Sequence, residues 1–213
     1  MGGLAAARRL CEKEECASST RDTLASINNL ASLLHEQGDL KNAAPLLREA
    51  LAACRATLGD THPLTLTSIH IFSDLLKAQG DLAGAEHMLL EALAGHRATL
   101  GDTHPDTLAS MNNLGLLLLQ QAGAAPLLRE ALAGYRATLG DTHPHTRISI
   151  DNLDRLLQDQ GDLDGAAPLL REALAGMCAT LGDTHPNTLT VISNLMSNLT
   201  QLQSRQRRQL SGN

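Results

Sequence analysis

The sequence predicts an all-α protein, folded as a right-handed solenoid of helix hairpins with a period of 42 residues. Leu (43) and Ala (30) make up about a third of the 213 residues, with one Tyr, one Phe and no Trp. Leu and Ala favour helices, and the sequence contains too few β-branched and aromatic residues for a sheet protein. The second observation is the pentapeptide Gly-Asp-Thr-His-Pro, which recurs at 59–63, 101–105, 140–144 and 182–186. The third is the helical spacing of apolar residues between these copies. A fixed period of this length is typical of stacked helical units.

Each period contains two helices. The first helix of the first hairpin is predicted from Thr23 to Gln37, with one apolar face at helical spacing. That face comprises Leu24, Ile27, Leu30, Ala31 and Leu34. Gly38 suits a left-handed C-cap, and Asp39 can cap the next helix. The second helix is predicted over 40–58, with a buried stripe of Ala43, Leu47, Ala50, Leu51, Cys54 and Leu58.

The repeated pentapeptide is interpreted as the turn between hairpins. Pro63 falls in the first turn of the next helix, where its missing N–H costs nothing. The Asp and Thr of the turn are expected to accept backbone donors at the next helix start. Three prolines lie inside second helices and must kink them or delay their start. They are Pro45, Pro126 and Pro168.

The same register organises the rest of the chain. Residues 1–19 form an N-terminal orphan half-repeat with a second-type helix at 4–17. The solenoid spans 20–203, with helix pairs near 23–58, 65–100, 107–139 and 146–181 and a further first helix at 188–203. Residues 204–213 are predicted to be a polar, frayed tail.

Two departures from the repeat are visible. The third copy lacks three residues of its internal turn, so a tighter turn or a shorter second helix is expected, with local looseness around 120–126 and 150–158. In the fourth copy Asp154 occupies the small-residue position held by Ala31, Ser73 and Gly115. A carboxylate there must reach water or a partner, because burying it unpaired is costly.

Several segments resemble the tetratricopeptide repeats of kinesin light chains. In the first copy they are 28–31 (Asn-Asn-Leu-Ala), 38–39 (Gly-Asp), 44–47 (Ala-Pro-Leu-Leu) and 58–63 (Leu-Gly-Asp-Thr-His-Pro). The resemblance covers about residues 20–200. It implies packing roles for Leu30, Ala31, Leu34, Gly38, Ala43, Leu47 and Ala50, and a concave face lined by the first helices that binds a peptide or protein.

Carried over residue by residue, the resemblance implies a set of peptide-binding residues. They are Asn28, His35, His70, Asp74, Lys77, Asn112, Leu116, Leu119, Asp151 and Arg155. Asn can both donate to and accept from a peptide backbone, so Asn28 and Asn112 would hold an extended ligand. Leu116 and Leu119 either form an apolar pocket or simply repack the shortened third repeat.

The sequence favours a non-enzymatic protein without a metal or cofactor. His62, His104, His143 and His185 each stand beside an Asp and a Thr, but equivalent positions of stacked helices lie about 10 Å apart, too far for a shared metal. Phosphate-binding and catalytic-serine motifs are absent. The second helices repeat Glu at 49, 91, 130 and 172, preceded in three copies by Arg at 48, 129 and 171, which is interpreted as a solvated face.

Composition also limits the kinds of partner and the cellular location that are expected. A net charge of −6 with two aromatic residues argues against nucleic acid, and apolar runs such as 114–119 are too short to cross a bilayer. Cys11, Cys16, Cys54 and Cys178 form no CxxC pair and are interpreted as free thiols. A cytoplasmic location is expected.

The predicted function is a light-chain-like adaptor for a protein or peptide partner. The resemblance implies a kinesin heavy chain partner, held through an N-terminal coiled coil, but no heptad segment occurs in this sequence. The alternative is a stand-alone scaffold or signalling module without a motor connection. A third hypothesis is an enzyme, which nothing in the sequence supports beyond the turn motif. A fourth follows from the near-identity of 123–146 and 165–188, which indicates recent duplication and a fragment with little selected function.

Overall fold

The computed structural model describes residues 20–119 and 123–211, and all regular structure within them is α-helical, as predicted. The first helix, α1, covers 20–36. It is followed by α2 (Leu40–Leu58), α3 (Pro63–Gln79), α4 (Leu82–Leu100), α5 (Pro105–Leu117), α6 (Ala124–Leu139), α7 (Pro144–Asp159), α8 (Leu163–Leu181) and α9 (Pro186–Ser211). The predicted helix at 4–17 lies outside the described residues.

Two compact units divide the chain, one ending at Thr99 and the other beginning at Leu100. In the first unit α2 packs on α3. One buried cluster, which includes Leu47, joins α1, α2 and α3. A second cluster, which includes Leu66 and Ile69, joins α2, α3 and α4. In the second unit each helix from α5 to α9 packs on the next. The handedness of the solenoid stays a prediction.

The turns inside the hairpins form as the sequence predicts. Gly38 has φ 77°, in the left-handed region, and the Asp39 carboxylate caps α2 by accepting from the backbone N of Asn42. Pro45 lies inside α2 and Pro168 inside α8. These two prolines therefore do not delay their helices.

The turns between hairpins are capped by histidine, which corrects the expectation that Asp and Thr are the acceptors. Nδ1 of His62 accepts a hydrogen bond from the backbone N of Leu64 at 3.1 Å. His104, His143 and His185 make the equivalent contact at 3.2 Å. A different threonine, in the first turns of the next helix, acts as a donor: the hydroxyl of Thr65 donates to the carbonyl of Gly59. The repeated His is thus explained by helix capping.

The first apolar face is predicted with one error. Leu24 and Ala31 are buried as expected, but Leu30 is 52% exposed. Asn28, three residues before Ala31, is part of the buried face instead. The second-helix stripe is confirmed in α2 for Ala43, Leu47, Ala50, Leu51 and Cys54, which are buried, whereas Leu58 is only half-buried. The face of α1 is therefore more polar than hydrophobic spacing alone indicates.

The third copy has a shorter second helix, as predicted, because α6 has 16 residues where α2 and α8 have 19. Residues 120–122 of its turn lie outside the described residues. At the other end, the helix boundary predicted near 203 is wrong, because α9 continues to Ser211. One anchor of this extension is Arg205, which donates to the carbonyl of Gly161 at 2.7 Å. None of the described helices is long and apolar enough to span a membrane.

Candidate functional site

The two asparagines expected to read a peptide backbone are buried. Asn28 is 2% exposed, and its Nδ2 donates to Oγ of Ser68 at 2.6 Å. Ser68 in turn donates to the carbonyl of Leu64, and its Oγ lies 3.6 Å from Sγ of Cys54. The amide of Asn28 therefore joins α1 to α3 inside the first unit.

Asn112 occupies the same register position in the second unit and is 6% exposed. Ser149 stands in the register of Ser68 and is fully buried. In both units these polar groups are incompletely paired, since Oδ1 of Asn28, Oδ1 of Asn112 and Oγ of Ser149 have no hydrogen-bond partner among the described residues. In this structure neither asparagine is exposed to a peptide.

In the first unit the other candidates lie on α1 and α3. Lys77 and Asp74 form an ion pair, with 2.5 Å between Nζ and Oδ1, one turn apart on α3. His35 and His70 are half-buried. The ring of His70 stacks on that of His96, with 5.6 Å between centroids and an interplanar angle of 18°. We call Asp74 and Lys77 the unit 1 face.

In the second unit the candidates lie on α5 and α7, except Leu119, which lies two residues beyond the end of α5. Leu116 and Leu119 are half-buried, so both keep apolar surface towards solvent. Asp151 is paired with Arg147, 3.1 Å between Oδ2 and Nη1, and burial raises the pKa of its carboxyl although Arg147 opposes this. Arg155 is exposed. We call Leu116, Leu119 and Arg155 the unit 2 face.

Asp154 is where the fourth copy departs from the repeat, and it is 3% exposed. Its Oδ2 accepts from Nε2 of Gln158 at 2.8 Å, while Oδ1 has no hydrogen-bond partner in the described part of the chain. The expectation that this carboxylate finds a partner is confirmed. Burial raises its pKa; Gln158 lowers it and the nearby Asp151 raises it further.

The structure shows ion pairs between second helices. The sequence analysis missed them because it interpreted the Arg and Glu residues of these helices as a solvated face. Arg55 on α2 binds Glu91 on α4, with 2.6 Å between Nη2 and Oε2. Arg136 on α6 binds Glu172 on α8 at 2.9 Å, with the same separation of 36 residues. The regular recurrence of Arg and Glu along the repeat was the signal that could have found them. These pairs tie neighbouring hairpins together within each unit.

A shallow groove of 340 Å³ lies beside the second of these pairs. Its apolar lining comes from α6, α7 and α8 and includes Leu132, Leu153 and Leu157, with Arg129 at its edge. Within the described residues no group of three His, Cys, Asp or Glu side chains could hold a metal ion. Cys54 and Cys178 are free thiols, and Cys11 and Cys16 lie outside the described residues.

The chain consists of repeated helix hairpins whose first helices carry exposed side chains. The histidines between the hairpins cap helices. This arrangement defines a protein-interaction repeat module. Tetratricopeptide repeat models match residues 22–98, 72–125, 107–145 and 146–187, and the chain belongs to the tetratricopeptide repeat family. No curated protein gives a significant sequence match.

Solved structures support the same class. A Podosopora anserina protein, described as a kinesin light chain with nearly identical TPR-like repeats, is 29% identical with a TM-score of 0.78. The match covers 89% of this chain and 91% of that one. A single-residue variant of it, 28% identical, gives the same TM-score and coverage. BtubC (BKLC) of P. vanneervenii, 22% identical, has a TM-score of 0.73 over 92% of this chain and 79% of its own. The repeats thus resemble those of kinesin light chain-like proteins.

Proposed function

We propose that this chain is a non-enzymatic, cytoplasmic adaptor that binds a peptide or protein partner along the exposed sides of its first helices. The observation that carries the proposal is the unit 2 face, where apolar surface of Leu116 and Leu119 is combined with the exposed cation of Arg155. Apolar side chains supply binding energy, and a charge nearby supplies orientation. Family membership supports the same role.

The chemistry of the ligand follows from which residues remain exposed. Because Asn28 and Asn112 are buried, the faces are not expected to hold a peptide mainly by its backbone. The partner instead places an apolar side chain on Leu116 or Leu119 and an acidic side chain near Arg155. The unit 1 face is charge-balanced, since Lys77 is already paired with Asp74, and contributes less.

A stand-alone scaffold without a motor connection is the second candidate. The matched tetratricopeptide repeats support this candidate equally, because they define an interaction module without specifying a motor partner. The two candidates share the binding face and differ in the partner.

Affinity capture with three full-length proteins tests both candidates. The face variant carries Lys77→Ala, Leu116→Ala and Arg155→Ala. The control variant carries Arg48→Ala, Leu90→Ala and Arg129→Ala, which likewise removes two basic side chains and one leucine, at exposed positions of second helices. Captured proteins are quantified by mass spectrometry, and circular dichroism checks that helix content matches.

The adaptor proposal predicts partners that the face variant loses and the control retains. A kinesin heavy chain among them identifies a motor adaptor, and its absence favours the scaffold. Equal capture by all three proteins overturns the role of the first-helix faces.

A further inference from the structure

The groove beside the Arg136–Glu172 ion pair is lined by shorter side chains than the same region of the first unit. When Pro63 is aligned with Pro144, α2, α3 and α4 fall in register with α6, α7 and α8, and the lining differs at three positions. At these positions the second unit has Leu153, Pro168 and Leu169, and the first unit has Phe72, His87 and Met88. Phe72 and Met88 pack against a buried cluster of the first unit. The second unit therefore leaves free the space that these longer side chains fill in the first.

The groove has an apolar floor and exposed walls. On its floor Leu132, Leu153 and Leu157 are almost completely buried. Ala133 of α6 and Pro168 of α8 are exposed on the walls. The volume of 340 Å³ is near the lower end of the range for ligand sites, about 300–1,000 Å³. An apolar side chain placed between the walls would remove Ala133 and Pro168 from water, which favours binding.

The charges differ between the two ends of the groove. Arg129 is exposed and forms no ion pair with any residue that the structure describes. Two turns later on α6, about 10 Å along the helix axis, Arg136 contacts both Asp141 and Glu172 at 2.9 Å. Two carboxylates around one guanidinium leave a net negative charge, and the side chain of Glu172 is 67% exposed. The groove thus has a positive end at Arg129 and a negative end at Glu172.

This pattern of charge and apolar surface specifies the chemistry of an occupant. An acidic side chain complements Arg129, an apolar one fits between Ala133 and Pro168, and a basic one complements Glu172. In an extended chain alternate side chains share a face, so three of them span about 13 Å. Long acidic and basic side chains can adjust this span to the spacing of the charges in the groove.

We propose that the groove between α6 and α8 binds a short extended segment of a partner protein. In this segment every second residue faces the groove, in the order acidic, apolar and basic. The site is formed by second helices and is separate from the unit 1 and unit 2 faces, which lie on first helices. The apolar side chain supplies binding energy, and the two charges fix the direction of the segment.

An NMR titration of the full-length, ¹⁵N-labelled chain tests the proposal. The probe is the capped peptide Gly-Glu-Ser-Leu-Ser-Lys-Gly, and the signals followed are the backbone amides of Ala133 and Gly165, which line the groove. We expect saturable shifts of both signals. The same peptide with Ser in place of Leu should bind about tenfold more weakly, because the apolar contact is lost.

Two variants of the chain locate the site. The filled variant carries Leu153→Phe, Pro168→His and Leu169→Met, which introduces the residues of the first unit, and it should bind the peptide at least about tenfold more weakly. Circular dichroism checks its folding, and Pro168→His with Leu169→Met, which leaves the buried floor unchanged, is the second form of this test. Arg129→Glu should weaken binding about fivefold. Its matched control is Arg48→Glu, the same change at the equivalent position of the first unit, which should leave the affinity unchanged.

The proposal is overturned if the shifts do not saturate, if the Ser peptide binds as well as the Leu peptide, or if both filled forms bind like the parent chain. Shifts of Ala133 and Gly165 that depend on chain concentration without peptide would assign the groove to a second copy, and also overturn it. The triple face variant described above should bind the peptide normally. The capture control, which contains Arg129→Ala, should bind it about twofold more weakly. Failure of one proposal is therefore distinguishable from failure of the other.

Discussion

The side-chain amide of Asn28 donates a 2.6 Å hydrogen bond to Oγ of Ser68 and so connects α1 with α3 in the interior of the first unit. We expect Asn28→Ala to lower the free energy of unfolding by about 1 kcal/mol, because a buried hydrogen bond is lost. Urea denaturation followed by circular dichroism measures this. The neighbouring Asn29 is exposed, and Asn29→Ala should change stability by less than about 0.5 kcal/mol. Equal stability of the two variants would contradict a structural role for Asn28.

The histidine caps lead to a second prediction, which concerns the stability of the chain. His62→Ala should destabilise the chain by about 1 kcal/mol, because the backbone N of Leu64 loses its acceptor at the start of α3. His62→Asn should retain most of the stability, since an asparagine side chain can accept the same type of bond. Thermal unfolding distinguishes the variants, with Thr61→Ala as an exposed control in the same turn. If the alanine and asparagine variants melt together, capping is not the function of this residue.

The buried carboxyl of Asp154 predicts a dependence of stability on pH. Its pKa is raised in the folded state, mainly by burial, as is that of Asp151. For an acid with a raised folded pKa, the stabilising contribution is fully present below the unfolded pKa and is lost as pH rises through the folded value. The contribution of this pair therefore favours the folded state more at about pH 4, close to the usual pKa of a carboxyl group, than at about pH 7.

Asp154→Ser tests that dependence, because Ser73 fills the equivalent position of the second hairpin. We expect the variant to be more stable by about 1–3 kcal/mol near neutral pH, since a buried oxygen without a partner is removed. The gain should shrink as pH falls, in urea titrations at both pH values. Asp159→Ser, an exposed control on the same helix, should show neither effect. A gain that is independent of pH would refute the titration of Asp154 as its cause.

Cys178 replaces the arginine of the second helix in the fourth copy, and its thiol interacts with Asp183. The equivalent arginine in the third copy, Arg136, binds Asp141 at 2.9 Å. The hydrogen bond to Asp183 raises the pKa of the Cys178 thiol. We expect Asp183→Asn to lower this pKa and to speed alkylation by iodoacetamide at neutral pH, because the thiolate is the reactive form.

Mass spectrometry of the Cys178 peptide gives the rate. Cys54 is buried, so its slow alkylation in the same sample serves as an internal reference. Asp164→Asn, which removes one negative charge from the start of α8, should leave the rate unchanged. A rate for Asp183→Asn equal to that of the parent chain would show that the carboxylate does not control this thiol.

Much of the fold could be predicted from the sequence because it depends on local chemistry. The bounds of α2, the left-handed glycine at Gly38 and the cap at Asp39 follow from residues only a few positions apart. The shortened α6 follows from counting missing residues. Of the candidate site, Leu116 and Leu119 keep apolar surface and Arg155 is exposed, as expected for residues on a binding face.

By itself the sequence determined the helical class, the repeat and its turns, because helix propensity, glycine conformation and proline placement act within one or two turns of chain. The tertiary structure decided which side of each first helix is buried. It placed Asn28 inside while Leu30 stays exposed. It also paired Arg55 with Glu91 across 36 residues. Periodicity specifies a stripe on one helix, but burial and ion pairing depend on the neighbouring helix that meets it, and that contact exists only once the hairpins stack.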